Sequence, residues 1–575
     1  MSSRFPSLRL EGGLISSDQI DRIADQKAKE FSIDDIASAW SEVQSYWTIF
    51  QNHLGRLPEN DPAISITRKW MIQFFSTLGY ELSAKNAAEV DGLTYAISHR
   101  ARSNDDSTPV HIVGFNQSLD RRPESGRPRL APHSLVQEYL NRTEYLWGIV
   151  TNGKTLRILR DSNLLRKQAY IEFDLEQIVR GEQFADFALL YRLIHISRLP
   201  TGIDDVNSCA LELFHKQTIE QGGRVRDHLR DRVKEALEQF GKGFLSHPKN
   251  TVLREKVQDK SLEAFEYYQQ LLRLIYRFLF LMVSEERNLI TDNMQYREHY
   301  SISRIRRLAE VRAAYTGQED LWLGLATTFK LFQDEDLGPL VGVPTLNGDL
   351  FDPTRTSEIN AASLTNRDLL SAMWDICMYR EKVGKNKWTP WRKINYAALD
   401  VEELGSVYES LLEFHPVFSI QDGKPQFFLL TGTERKSTGS YYTPPELVNE
   451  LIKSALVPVI NNRLSGKKTG EEKTNALLSL TVCDPACGSG HFLLAAARTI
   501  GRELAKIRTG DEEPAPEQMR IAIRDSITHC IYGVDKNPLA VDLCKVALWL
   551  ERHTTKKPLT FLDHRIRCGD SLIGV

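Results

Sequence analysis

Cysteine and long apolar runs are both scarce in this sequence. It has seven cysteines in 575 residues, and such an odd, sparse set is typical of reduced thiols and not of a disulfide-stapled module. The most apolar stretch, from Leu271 to Val283, contains two arginines, whereas a bilayer span needs about 20 predominantly apolar residues. The N-terminus has no apolar core of a secretory signal. We therefore expect a cytoplasmic protein that spans no membrane.

Neither sign of charge dominates the chain. The 73 basic and 76 acidic residues give a formal net charge of −3, so no global positive field attracts nucleic acid, and a polyanion site has to be a local patch. Apolar residues at 41% and charged residues at 26% are ordinary for a globular protein. Cys483 and Cys487 have the spacing of a metal-ligand pair, but no second pair follows at ligand spacing, so we predict no metal site.

The residue pattern indicates an α/β multidomain protein. We predict a helical N-terminal segment, an α/β domain, a helical connector and a motif-bearing domain, at residues 1–60, 61–190, 191–400 and 401–575. In the second segment, Asn152-Gly153 lies between two β-rich runs and predicts a hairpin. In the third, the apolar stretch from Lys260 to Leu289 predicts a long buried helix.

A strand, a glycine-bearing turn and a helix follow one another in the last segment. LLSLTVCDPACGSGHFL predicts an apolar strand from Leu480 to Cys483 and a helix that begins near His491. Glycines in such a turn let the backbone approach a ligand, and the helix N-terminus favours anionic or strongly polar groups. The third glycine of a dinucleotide fingerprint would fall at Leu493, which disfavours a nicotinamide cofactor. Asp484 suits a cationic group such as an α-ammonium.

Two further strands of this segment end in acidic residues. HCIYGVDKNPLAV predicts a strand from Cys530 to Val534 followed by Asp535, whose carboxylate oxygens can accept from both hydroxyls of a ribose. IRCGDSLIGV places Asp570 after a third strand, in position to accept from an exocyclic amino group. Two polar stretches are predicted to be solvated loops: residues 461–475 and 508–517.

Four stretches of this segment together resemble a known enzyme family. GSYYTPPELV, DPACGSGHFL, GVDKNPLAV and GDSLIG begin at Gly439, Asp484, Gly533 and Gly569. They resemble, in this order, motifs X, I, II and III of the gamma class of N6-adenine DNA methyltransferases. The resemblance implies a Rossmann-like domain that binds S-adenosyl-L-methionine.

The resemblance also implies which residues hold that cofactor. From the methionine side, through the wall around the amino and carboxylate groups, to the ribose and the adenine, they are Tyr442, Thr443 and Pro444; Asp484, Ala486, Cys487, Gly488 and Gly490; Asp535, Asn537 and Pro538; and Asp570, Ser571 and Leu572. Among them, Asp535 would hold the ribose diol and Asp570 would help to read the adenine.

The sequence departs from the family pattern at the catalytic motif. In that family an Asn or Asp followed by Pro-Pro and an aromatic residue comes after motif III and holds the flipped adenine. The sequence contains no such motif, and its one Pro-Pro, at Pro444-Pro445, has neither the acceptor side chain before it nor the aromatic ring after it. We therefore expect an incomplete methyltransferase domain, and an isolated chain that holds part of the cofactor pocket but does not methylate DNA.

The second segment resembles the nuclease-like amino domains of type I and type IIG restriction enzymes. Such nucleases need an acid and a Glu-x-Lys triplet at a strand end to hold Mg²⁺. Asp91 is a candidate for the acid, but the strand from Val110 to Val113 is followed by Gly114-Phe115-Asn116 in place of the triplet. We therefore expect a nuclease-like fold without nuclease chemistry.

A basic loop from Leu119 to Arg129 is a candidate DNA contact. Its arginines, whose guanidinium groups suit phosphate recognition, are Arg121, Arg122, Arg127 and Arg129. A solvated basic loop explains the pattern equally well, because Glu124 interrupts the run and no aromatic residue is interleaved.

The helical middle resembles the connector of large restriction and defence methyltransferases, including the class 1 methyltransferase of DISARM systems. We therefore predict an S-adenosyl-L-methionine-dependent, site-specific adenine-N6 methyltransferase of a restriction-modification or anti-phage system, with double-stranded DNA as its partner. One alternative is a non-catalytic DNA-binding or scaffolding subunit that a second polypeptide completes. Another is an active restriction nuclease, which requires Mg²⁺-dependent cleavage that the substitution Asp91→Ala abolishes.

Overall fold

A computed structural model gives the fold in two compact units. Unit 1 comprises residues 1–221 and 502–521, and unit 2 comprises residues 222–501 and 522–575. The residues described are 5–26, 31–58, 60–123, 130–162, 169–287, 289–291, 293–346, 350–380, 382–384, 387–396, 399, 403, 405, 407, 411, 414–421, 424–431, 443–552 and 562–574. Only the backbone is described for residues 17–18, 221–228, 382–384, 387, 421, 424, 431, 445 and 552.

Unit 1 mixes short strands with helices. Its strands are β1 (Leu8–Glu11), β2 (Ser83–Ala84), β3 (Ala88–Val90), β4 (Leu93–Tyr95), β5 (His99–Arg100), β6 (Pro109–Ile112), β7 (Trp147–Thr151), β8 (Thr155–Arg160) and β9 (Tyr170–Asp174). Its helices include Ser17–Ala24, Ile33–Leu54, Ile64–Thr77, Pro132–Asn141, Leu175–Arg180 and Phe184–Ile194, with a 3-10 turn at Ile196–Arg198. A longer helix, Ala210–Ser246, begins in unit 1 and ends in unit 2.

A seven-stranded mixed sheet in the order β1-β9-β8-β7-β6-β5-β2 organises unit 1. Its neighbours pair antiparallel except β6 and β7, which are parallel. The hairpin predicted at Asn152-Gly153 is confirmed, since Gly153 has a φ of 79° between β7 and β8. Trp70 packs here, and its indole N–H donates to the Gly153 carbonyl at 3.1 Å. The predicted α/β class is confirmed.

Aromatic side chains fill the core on one face of this sheet. Trp47 and Phe50, from the helix Ile33–Leu54, lie 5.4 and 6.0 Å from the Trp70 ring. Phe115, just after β6, lies 5.2 Å from Phe50. Edge-to-face and tilted aromatic pairs of this kind add to the free energy of burial, so the first helices and the sheet form one core.

Unit 2 is mainly helical. Its strands are β10 (Met378–Tyr379), β11 (Lys382–Gly384), β12 (Lys387–Trp388), β13 (Arg392–Lys393), β14 (Phe414–Gln421), β15 (Lys424–Thr431), β16 (Val482–Asp484), β17 (Ile531–Asp535) and β18 (Ile566–Cys568). Its helices include Thr251–Gln258, Ala264–Glu286, Ile302–Leu308, Asp320–Leu331, Leu337–Leu340, Ser357–Ala361, Asn366–Cys377, Pro445–Leu451, Val457–Leu464, Gly470–Leu478, His491–Thr509, Pro516–Cys530 and Pro538–Arg552; the penultimate two are shared with unit 1.

The predicted long buried helix is confirmed as Ala264–Glu286. Arg277 on this helix is buried, and its guanidinium donates to the carbonyls of Leu350 and Asp352 at 2.7 and 3.1 Å. Burial lowers the pKa of Arg277 to about 9. Glu285 accepts from the Ile302 amide at 2.8 Å, at the start of the next helix. These charged groups stabilise the helical connector.

No helix in the described part of the chain is long and apolar enough to cross a membrane.

The two polar stretches predicted to be solvated loops differ from that prediction. Residues 461–475 are mostly helical, because Val457–Leu464 and Gly470–Leu478 enclose a short turn. Thr469 and Glu472 form a capping box that starts the second helix. Residues 510–515 lie outside helices, but Asp511 among them is 2% exposed. The first prediction is therefore wrong, and the second is wrong about solvation at Asp511.

Candidate functional site

Three acidic residues follow three parallel strands at one edge of a small sheet. The sheet has the order β16-β17-β18, and the register pairs Asp484 with Gly533 and Asp535 with Cys568. Asp570 comes two residues after β18 ends. Because the carboxyl ends of parallel strands share an edge, all three carboxylates lie at one rim of the sheet, where α/β proteins bind ligands.

The turn after β16 depends on two glycines. Gly488 and Gly490 have φ values of 51° and 93°, and the Gly490 amide donates to the Cys487 carbonyl at 2.8 Å. A Cβ on Gly490 would lie 2.8 Å from the sulfur of Cys544. Glycine is therefore required at position 490 both for backbone conformation and for space. The helix predicted from His491 begins there, as His491–Thr509.

The Asp535 carboxylate joins the turns that follow β16 and β17. One oxygen accepts from the Gly488 amide at 2.8 Å, and the other accepts from the Asn537 amide at 2.8 Å. The Asn537 side chain in turn accepts from the Leu539 amide at 3.0 Å, while Pro538 begins the helix Pro538–Arg552. Each Asp535 oxygen has a further lone pair for a ligand hydroxyl.

Asp570 is held in a different environment. One of its oxygens accepts from the amides of Leu572 and Ile573 at 3.0 and 3.2 Å, and the other lies 3.4 Å from the Lys536 ammonium. These backbone hydrogen bonds, with the nearby lysine, lower the pKa of Asp570. The side chain of Leu572 is 96% exposed and Ser571 is exposed, so both residues present an open surface beside the sheet edge.

Asp484 is the acid of this rim that most favours a cation. Burial raises its pKa, the Ala486 amide that donates to it at 3.0 Å opposes this, and the negative charge of Asp535 adds to the increase. A ligand ammonium near Asp484 would stabilise its ionised form. The rim therefore combines an acid suited to an ammonium with an acid suited to hydroxyls.

Two contacts of the glycine turn were not predicted from the sequence. Cys544, on the helix Pro538–Arg552, packs beneath Gly490. Gly405 approaches the turn from the other direction, since a Cβ there would lie 3.0 Å from the Ser489 hydroxyl. The signal for Gly405 is a glycine within the helical pattern DVEELGSVYE, whereas nothing in the sequence indicates the contact of Cys544.

Motif X is only partly visible. Tyr442 lies outside the described residues. Thr443 is half-buried and Pro444 is exposed, and the helix Pro445–Leu451 follows them directly. Their contact with the cofactor stays a prediction.

The nuclease-like segment places its candidate acid in an exposed turn. Asp91 lies between β3 and β4 with a φ of 52°, and its 67% exposed side chain is 3.6 Å from Arg142. After β6, a Cβ on Gly114 would lie 1.9 Å from the Pro62 carbonyl oxygen, so the close backbone contact requires glycine there. Among the residues described, no cluster of three or more His, Cys, Asp or Glu side chains has the geometry of a metal site.

Two arginines of the basic loop have carboxylate partners within unit 1. Arg122 pairs with Asp511 at 2.5 Å, and Arg121 pairs with Glu517 at 3.2 Å. Burial raises the pKa of Asp511 to about 6 although Arg122 opposes this. Arg127 and Arg129 lie outside the described residues. Phosphate binding by this loop stays a prediction, and Arg122 would have to exchange its partner to make that contact.

The rim of three acids and the glycine turn define a Rossmann-like site for a polar nucleoside ligand. Residues 426–573 match the family model described as N-6 DNA Methylase. The family predicted from the motifs is therefore confirmed: this part of the chain is a DNA adenine methyltransferase domain of the N-6 DNA methylase family.

Similar proteins belong to restriction systems. A candidate type II restriction enzyme and methyltransferase of Methanocaldococcus jannaschii is 26% identical over 272 residues, which are 40% of this chain and 21% of that protein. The chain thus spans about a fifth of the length of this curated relative.

Two solved structures are also similar, at low scores. The type IIL restriction-modification enzyme MmeI in complex with DNA gives 18% identity and a TM-score of 0.36, over 59% of this chain and 40% of that one. The DrdV–DNA complex gives 12% identity and a TM-score of 0.28, over 93% of this chain and 40% of that one. These scores carry no argument about the fold.

Proposed function

We propose that this chain supplies the cofactor side of an S-adenosyl-L-methionine-dependent adenine-N6 DNA methyltransferase of a restriction-modification or anti-phage system. The observation that carries the proposal is the rim of Asp484, Asp535 and Asp570 beside a turn with two left-handed glycines. The family match over residues 426–573 supports it.

Each acid has a proposed role that its surroundings support. Asp484 would accept from the α-ammonium of the cofactor, because burial disfavours its unpaired charge. Asp535 would accept from the ribose hydroxyls while its backbone hydrogen bonds fix its orientation. Asp570, whose pKa is lowered, would accept from the adenine amino group. The glycine turn would let the backbone pass close to the methionine part.

The proposal extends to the partners. Double-stranded DNA would be the substrate in the cytoplasm, and the catalytic and target-recognition residues would come from further sequence or from a second polypeptide. Residues 61–190 would be a nuclease-like domain without nuclease chemistry. The exposed turn around Asp91 supports this last point.

Calorimetric titration tests the ribose contact directly. We expect the chain to bind S-adenosyl-L-methionine, and we expect Asp535→Ala to weaken binding about tenfold or more, because a hydrogen bond to a charged group contributes about 1.5–3 kcal/mol. The 2′-deoxy analogue of S-adenosyl-L-homocysteine should bind the wild type more weakly than the parent compound does. Asp535→Ala should no longer distinguish the two compounds.

The control is Glu471→Gln, an exposed carboxylate in the same unit. It should leave binding unchanged. Thermal unfolding of each variant separates loss of contact from loss of fold, and Asp570→Asn provides a second variant at the rim. A wild-type chain that unfolds cooperatively but binds neither compound would overturn the proposal.

A further inference from the structure

Two exposed tryptophans lie close together on a pair of short hairpins in unit 2. Trp388 is 51% exposed and Trp391 is 37% exposed. The backbone around them is ordered by two pairings, β10 with β13 and β11 with β12. Large aromatic side chains with this much exposed surface often mark binding sites, because burying them against a ligand is favourable.

Guanidinium groups support both indole rings. The Arg380 guanidinium carbon lies 4.7 Å from the Trp388 ring centroid and 4.5 Å from that of Trp391. Arg232 lies 5.1 Å from Trp391, and the Trp374 ring meets Trp391 edge-on at 5.5 Å. Cation–π and edge-to-face contacts hold Trp391 from several sides. The two indoles therefore form a preorganised stack around Arg380.

Cavities open on both sides of Trp391. One, of about 200 Å³, is lined by Tyr379, Arg380 and Trp388 together with residues of the helix Ala210–Ser246. The other, of about 590 Å³, is lined by Tyr315, Trp374 and Arg312 among others. The larger volume lies within the range of about 300–1,000 Å³ that is common for small-molecule sites. A planar ring can thus reach aromatic surface at this stack.

The charge of this region favours a polyanion although the chain as a whole is weakly acidic. Residues 380–393 include six Lys or Arg and one Glu, against a net charge of −3 for the whole chain. The nearby carboxylates are already paired: Arg232 pairs with Glu235 and Asp375, and Lys393 pairs with Glu310 at 2.7 Å. Asp231 also lines the smaller cavity. The local excess of charge is positive.

We propose that the Trp388–Trp391 hairpins bind single-stranded DNA by stacking an unpaired base on the indoles while basic side chains contact its phosphates. Aromatic rings interleaved with Lys and Arg are the chemistry that binds unpaired strands without a sequence requirement. A duplex keeps its bases stacked on one another and offers no free base face to the indoles. This site does not depend on the cofactor rim, so either proposal can fail alone.

Fluorescence anisotropy with the full chain and a labelled oligo(dT) 12-mer tests the site. We expect Trp388→Ala to weaken binding about tenfold, the size typical for loss of one stacked base. Trp388→Phe should stay within about threefold of wild type, because the phenyl ring still stacks. A blunt duplex of the same length should bind more weakly than the single strand, and by the same amount in wild type and Trp388→Ala.

The matched control is Phe265→Ala, an aromatic side chain that is 54% exposed elsewhere in unit 2. It should bind oligo(dT) like the wild type. Equal affinity of wild type and Trp388→Ala for oligo(dT) would overturn the proposal, as would binding of oligo(U) but not oligo(dT). Thermal unfolding of each variant shows whether the hairpins are intact, and if Trp388→Ala unfolds, the Trp388→Phe and Arg380→Ala pair decides: Arg380→Ala alone should weaken binding.

Discussion

At the scale of single residues, the candidate cofactor site is assembled by backbone hydrogen bonds to acidic side chains. Asp484, Asp535 and Asp570 each accept from a main-chain amide of the turn that follows their strand, so each carboxylate fixes its turn. Asp535 additionally accepts from Gly488, in the turn after the neighbouring strand. Replacing any of these acids therefore changes the turns as well as the ligand contact, which is why the binding test compares ligands as well as variants.

Gly490→Ala should destabilise the fold and weaken cofactor binding. The added Cβ meets the Cys544 sulfur at 2.8 Å and forces alanine to a φ of 93°, and strain and overpacking together cost about 2–5 kcal/mol. Gly466→Ala is the control, because Gly466 has a φ of 77° and nothing within 4 Å of its Cβ position. Urea unfolding should show a larger loss at position 490. Adding Cys544→Ala to Gly490→Ala should restore part of the loss, and equal losses at 466 and 490 would contradict the close packing.

At the scale of elements, helix ends and helix pairs explain where the sequence analysis succeeded and failed. The hairpin at Asn152-Gly153 was predictable because a left-handed turn needs glycine locally. The helix Gly470–Leu478 was missed, although Thr469 and Glu472 show the capping-box spacing, because the polar composition of the stretch favoured a loop. Its identification required more weight on the cap than on hydrophobicity.

The pairing of the helices Ala264–Glu286 and Pro538–Arg552 depends on a buried ion pair. Arg273 and Asp542 have side chains 8% and 3% exposed, and they meet at 2.9 Å. We expect Asp542→Ala to reduce stability by about 3–5 kcal/mol, because it leaves the arginine charge buried without its partner. Calorimetric or chemical unfolding measures the loss.

Two comparisons control this prediction. The double variant Arg273→Met, Asp542→Leu should lose much less stability than Asp542→Ala, because it leaves no unpaired charge. Lys249→Ala, which removes an exposed partner of Glu319, should change stability by about 1 kcal/mol or less. If the double variant is as unstable as Asp542→Ala, packing and not charge explains the effect.

At the scale of the whole molecule, segments distant in sequence fold together. Residues 502–521 belong to unit 1 although they lie between the motif I and motif II regions of the chain. Asp511 in this segment is buried and accepts from the Arg122 guanidinium. The polar composition of residues 508–517 indicated solvent exposure, so only the tertiary structure shows that this acid is covered.

The Asp511 carboxyl should make stability depend on pH. Its pKa is about 6 in the folded protein and near 3.9 in an unfolded chain. The folded state therefore takes up a proton that the unfolded state does not bind, and wild-type stability relative to Asp511→Asn should rise as the pH falls from about 7 to about 4. Thermal unfolding across this range measures the difference. Arg122→Ala should move the rise to higher pH, and parallel pH curves for wild type and Asp511→Asn would contradict the prediction.

The sequence by itself determined the family, the order of the motifs and the three strand ends that carry acids, because these depend on local patterns of apolar, glycine and acidic residues. The tertiary structure decided which groups share an environment. The contacts of Gly490 with Cys544, Arg122 with Asp511 and Arg380 with two tryptophans join residues whose proximity no local pattern encodes. Local propensity acts within a few residues, whereas burial and charge pairing act between surfaces that only folding brings together.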